Sequence, residues 1–157
     1  MGRRYNFSSN CVSGTGSATL PIANIVGATT VRPKVYDITC GFDATPADNA
    51  FKFNIQRGTT AGTLGGAGGA AITPKPLDFS DPASLITANQ GVCSVGPTLT
   101  ANEFLLAWAQ NQRATFRWAA APGSELLLPA SATASLNLMA LVATASVNCA
   151  TTILYEE

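Results

Sequence analysis

Hydrophobic and polar residues alternate along much of this chain with a period of two. From Val35 to Phe42, Tyr36, Ile38, Cys40 and Phe42 alternate with Asp37, Thr39 and Gly41. Phe51, Phe53 and Ile55 alternate with Lys52, Asn54 and Gln56, and Ala114, Phe116 and Trp118 oppose Arg113, Thr115 and Arg117. The final run sets Val147, Cys149, Thr151, Ile153 and Tyr155 against Asn148, Ala150, Thr152 and Glu156. Side chains at successive strand positions point to opposite faces, so each run predicts a strand with one face on a core. Turn residues punctuate the runs at Thr45-Pro46, Pro74-Lys75-Pro76, Gly96-Pro97 and Pro122-Gly123.

Two segments also fit a helix. Thr100-Ala101-Asn102-Glu103 has the form of a capping box before Phe104 to Gln110. The clear strand after Asn111-Gln112 favours a hairpin instead. Ala134 to Val142 is helical by propensity, but Leu136, Leu138 and Val142 alternate with Ser135 and Asn137, which favours a strand. Many short strands in one domain predict an all-β fold, as an antiparallel two-sheet jelly roll or β-sandwich. Residues 31–157 are expected to form it, with residues 1–30 as an N-terminal arm or first-strand region. A single domain of this length buries about 70% of its unfolded surface, so it needs no staples.

Charge narrows the functional classes. Nine basic and nine acidic residues balance, which gives no field favouring nucleic acid or an anionic membrane. Charged residues make up only 11% of the chain, well below the roughly 25% of ordinary domains. A surface this poor in charge makes sense if neighbouring subunits cover it. Met1-Gly2-Arg3-Arg4 is followed by polar residues, so no secretory signal is expected, and Leu136 to Val147 is too short and interrupted to span a bilayer.

The chemistry of enzymes is scarce. Without histidine, neither a Ser–His–Asp nor a Cys–His arrangement can be built. Ser–Lys and paired-carboxylate mechanisms stay formally open, but Asp43, Asp48, Asp78 and Asp81 all sit beside turn residues. Asp81-Pro82 reads as a helix cap opening about one turn. Cys11, Cys40, Cys93 and Cys149 lack zinc spacing. Three disulfide connectivities are conceivable, yet Cys40 and Cys149 fall on apolar strand phases, as small buried hydrophobes do. The run from Gly58 to Gly69 lacks the Lys-Ser/Thr of a phosphate loop and reads as a long flexible surface loop. Arg113, Arg117 and Trp118 have the look of a stacking platform, but Arg117 and Trp118 should face opposite ways, with Trp118 in the core. No enzyme activity, cofactor or metal is therefore expected.

Three segments then carry a resemblance. They are Ile55-Gln56-Arg57-Gly58-Thr59-Thr60-Ala61-Gly62-Thr63, Pro74-Lys75-Pro76-Leu77-Asp78-Phe79-Ser80-Asp81-Pro82-Ala83, and Asn111-Gln112-Arg113-Ala114-Thr115-Phe116-Arg117-Trp118 with Ala121-Pro122-Gly123-Ser124-Glu125. Together with the terminal Tyr155-Glu156-Glu157, they resemble small tailed-bacteriophage capsid decoration (cement) proteins of jelly-roll type. The likeness runs from about Val35 to the C-terminus. It implies a homotrimer on the outer capsid surface of a virion assembled in bacterial cytoplasm. The major capsid protein would be the partner, with no nucleic acid or membrane involved. The unmatched N-terminal segment is the expected anchor, with Arg3, Arg4, Tyr5 and Phe7 docking on the shell. The alternative is a head-fibre or tail-associated module that recognises host surface glycans.

Overall fold

The computed structural model describes residues 2–12, 20–43, 47–65, 69–141 and 148–157, with the side chains of residues 11 and 12 excepted. Twelve strands, and no helix, occur among these residues. One sheet holds β1 (Arg4–Val12), β3 (Lys34–Asp43), β6 (Lys75–Pro76), β9 (Phe116–Ala119), β10 (Leu126–Leu127) and β12 (Asn148–Glu156). The other holds β2 (Ala23–Val26), β4 (Ala50–Gly58), β5 (Ala70–Ile72), β7 (Thr87–Gln90), β8 (Leu99–Asn111) and β11 (Ser135–Leu141). Every pairing is antiparallel, and the sheets form a single-domain β-sandwich, as the alternation requires. The first sheet runs β10-β3-β12-β1-β6 with β9 also on β3, and the second runs β5-β7-β2-β11-β4-β8. β3 pairs with β12 in one sheet and β4 with β11 in the other, the nested pairing of a wound jelly roll.

The core lies between the sheets. Tyr5, Phe7, Ile38, Cys40, Cys149, Ile153 and Tyr155 enter from the first, and Ile25, Phe51, Phe53, Ile55, Leu136 and Leu138 from the second. At one side Trp108 stacks on Phe53 at 5.3 Å and on Phe116 at 4.2 Å, so rings from β4, β8 and β9 link the two sheets. Trp118 packs half-buried against this core, and Arg117 turns outward to Asp37, as the phase predicts.

Several expectations need correction. Within the region expected as an arm or first strand, residues 4–12 form a strand and no free arm: β1 lies inside its sheet, between β12 and β6. It pairs with β12 over nine residues, with Tyr5 opposite Tyr155 and Phe7 opposite Ile153. The expected hairpin at Asn111-Gln112 is an arch, because β8 pairs with β4 and β9 crosses to β3 in the other sheet. Gln110 and Gln112 tie the arch down: Gln110 Nε2 donates to Ala114 O at 3.1 Å, and Gln112 Oε1 accepts from Ala47 N at 2.7 Å. In β3 the register shifts at Tyr36, so Val35 takes the buried position and Tyr36 turns towards solvent. Asp81-Pro82 opens no helix; a turn closes ahead of it, from Asp81 N to Asp78 O at 3.0 Å.

The glycine-rich run is also fastened. Thr63 N donates to Val95 O at 2.9 Å, Gly65 N to Asn89 Oδ1 at 2.7 Å, and Ser135 Oγ to Thr60 O at 3.0 Å. It meets a row of buried amides, Asn89, Asn24, Asn137 and Gln56, that lie opposite one another on four neighbouring strands. Residues 66–68 of that run, the Thr45-Pro46 turn, Val142, Val147 and the Cys11 side chain lie outside the described residues.

Candidate protein-docking surface

Among the described residues, three of the six large apolar side chains that are exposed sit on the connection from β6 to β7. Phe79 is fully exposed, Leu77 is 52% exposed and Leu85 58%, with Pro82 and Ala83 exposed between them. A recess of about 530 Å³ beside them is lined by Thr73, Pro74, Lys75, Pro76, Phe79 and Ala83. Solvated loops are normally polar, so an apolar loop on a charge-poor protein is a candidate contact surface.

The loop is held in shape from beneath. Asp78 Oδ1 accepts from Ser80 N at 2.9 Å and from Ser80 Oγ at 2.7 Å, which fixes the turn that presents Phe79. These bonds hold the Asp78 carboxyl below its ordinary range. Tyr5 Oη donates to Pro82 O at 3.2 Å, and Leu77 N donates to Arg4 O at 2.8 Å. At the far end the carboxylate of Glu157 accepts from Leu85 N at 3.2 Å and Ile86 N at 3.3 Å, and from Ser84 Oγ. Ser84 Oγ also meets Tyr155 Oη at 2.6 Å. Both chain ends thus brace one loop, and Arg3 N–Glu157 O (3.0 Å) with Glu157 N–Arg3 O (2.9 Å) joins them to each other.

The anticipated anchor residues fall on both sides of this arrangement. Tyr5 and Phe7 are each 1% exposed, so neither can dock on a partner while β1 stays in the sheet. Tyr5 instead carries the loop through Pro82, and Phe7 packs in the core. Arg3 and Arg4 are exposed: Arg3 reaches Asp81 at 3.7 Å, and Arg4 lies over the Tyr36 ring at 6.0 Å. Of the four expected contacts, only these two remain on the surface, at the margin of the loop.

A second recess, of about 330 Å³, is lined by Arg4, Lys34, Tyr36, Glu125 and Glu156. Two carboxylates, Glu125 and Glu156, line it, so it bears on the paired-carboxylate chemistry that the sequence left open. A general acid needs its carboxyl pushed upward. Glu125 is pushed down, by its own backbone N–H, by that of Gly123 and by nearby Lys34. Among the described residues, no group of three His, Cys, Asp or Glu side chains could hold a metal ion. No described helix is long and apolar enough to cross a membrane.

The other resembling segments hold the fold together. Gln56 Nε2 donates to Thr100 O at 2.6 Å, Arg57 pairs with Glu103 at 2.8 Å, and Arg113 with Asp48 at 2.9 Å. No protein-family model, curated protein or solved structure matches this chain.

Proposed function

We propose that this protein is a non-enzymatic structural subunit that decorates and stabilises a tailed-phage capsid by binding across neighbouring shell subunits. The observation that carries this reading is the braced apolar loop, in which Leu77, Phe79 and Leu85 face solvent on a rigid support. Preorganisation of that kind lowers the ordering cost of binding, and a central aromatic anchor is the usual hot spot of a protein interface. The low charge content and the motif resemblance direct the choice of partner to a protein lattice, the major capsid protein. The contact site moves from the N-terminal residues to residues 77–85, with Arg3 and Arg4 at its rim.

The test is saturable binding of the purified protein to undecorated heads, read by electron microscopy and by the temperature at which the genome escapes. Phe79→Asp should lower occupancy at least tenfold while leaving the β-sheet spectrum and melting unchanged, because that side chain is fully exposed and outside the core. Wild-type occupancy by the variant would move the contact elsewhere, and no binding by the intact protein would end the capsid reading. A glycan-binding module would instead leave heads bare and retain sugars on an array.

A further inference from the structure

We propose that β8 is a self-association edge, through which two copies of this chain pair antiparallel about a two-fold axis. β8 is the longest strand, thirteen residues, and stands at the edge of its sheet with β4 as its one partner among the described residues. At about 3.4 Å per residue it offers roughly 40 Å of edge. About half of its backbone N–H and C=O groups therefore point away from β4.

Natural sheet edges are protected by lysine, proline, bulges or brevity. The other edge strands follow that rule: β5 has three residues, β6 two including Pro76, β10 two, and β9 four with Arg117 among them. β8 has neither lysine, arginine nor proline. Its irregularities, Asn102 at φ 60° and two register shifts, are confined to its first part. From Leu106 to Asn111 it runs in unbroken register with β4. Its sole charge, Glu103, is matched within the chain by Arg57 at 2.8 Å.

These features fit a second copy better than any other occupant. Identical strands pair antiparallel by two-fold symmetry, and such a contact is isologous and closed. Two matched-charge edges in a chain of zero net charge do not repel. With the axis between Trp108 and Ala109, the regular segment from Leu106 to Asn111 would pair with itself over six residues. That gives about six main-chain hydrogen bonds, at the lower end of the roughly five to fifteen of a typical specific interface. The resemblance implies a homotrimer; this edge generates a pair.

This chain should sediment and scatter light at twice 16.1 kDa across micromolar concentrations. Ala107 and Ala109 are exposed, so Ala107→Lys with Ala109→Lys adds the missing edge protection without disturbing the core. That variant should be monomeric with an unchanged β-sheet spectrum, and its β8 amides should exchange hydrogen at least tenfold faster than in the wild type. A wild-type protein that is monomeric or trimeric overturns the proposal, as does a folded lysine variant that stays dimeric. None of these measurements uses a phage head, so their outcome is independent of the capsid reading.

Discussion

Three side chains illustrate how single positions set stability here. Cys93 is buried away from charge, which pushes its thiol up to about 11. Burial and nearby acidic groups also push Tyr155 and Tyr5 upward. A group that resists ionisation in the folded state contributes stability that is complete below its unfolded pKa. For Cys93 that contribution is lost between about pH 9 and 11, and the tyrosines extend the loss above pH 10. Urea midpoints should therefore be flat from pH 7 to 8.5 and fall beyond it, and Cys93→Ala should delay the first part of the fall. Tyr155→Phe removes the hydrogen bond to Ser84 and should cost about 1 kcal/mol by urea unfolding. Arg117 and Arg113 supply a matched comparison. Arg117 forks onto Asp37, whose side chain is 8% exposed, whereas Arg113 meets Asp48, which is 74% exposed. Arg117→Ala strands a buried carboxylate, so it should lower the urea midpoint more than Arg113→Ala does.

At the scale of elements, truncation gives the sharpest test. Deleting Gly2 to Ser9 removes an inner strand along with Tyr5 and Phe7, so the shortened chain should lose its β-sheet spectrum rather than shed an arm. The alternation that marks β1 was present in Tyr5, Phe7 and Ser9 against Arg4, Asn6 and Ser8. The choice between arm and first strand stayed open because Ser9 is polar: it is buried through a bond to Ile22 O at 2.9 Å, a tertiary partner that no local pattern reveals. β4 was legible because its inward Phe51, Phe53 and Ile55 are apolar without interruption, and β3 and β12 because Ile38, Cys40, Cys149, Ile153 and Tyr155 outweigh the shift at Tyr36 and the buried Thr151. Whether β8 and β9 share a sheet was not legible, since the choice between hairpin and arch depends on Gln110 and Gln112 finding partners far along the chain. The docking loop was visible as punctuation, but not as a surface, because exposure of Phe79 is decided by the turn around Asp78. The glycine-rich cover has its own signal. Gly62 sits at φ 70°, where a Cβ would lie 2.6 Å from Val95 O, so Gly62→Ala should destabilise the protein. Thermal melting checks this, and an unchanged midpoint would show that the run is not fastened as described.

At the scale of the whole molecule, the two proposed surfaces lie on opposite sides of the sandwich. β8 and β9 close one side, and β5 and β6, which lead into the apolar loop, edge the other. Pairing through β8 would therefore place the two Phe79 loops at the outer ends of a twelve-stranded sheet. With strands about 4.8 Å apart, those ends are separated by roughly 50 Å. Such a dimer is a two-ended clamp able to engage two shell subunits at once. The second contact is then intramolecular, and avidity can exceed the single-site affinity by about 10²–10⁴. Ala107→Lys with Ala109→Lys keeps each loop intact but cuts the clamp in two. It should bind heads with an affinity lower by at least a hundredfold, while Phe79→Asp weakens each end separately. Saturating the heads with the lysine variant should restore occupancy yet raise the genome-release temperature less than the wild type, because each monomer grips one subunit instead of joining two. Titration of heads, with occupancy and release temperature read on the same samples, separates these effects. Equal stabilisation by monomer and dimer at equal occupancy would mean that each subunit bridges the shell alone, and the clamp would have no part in holding it.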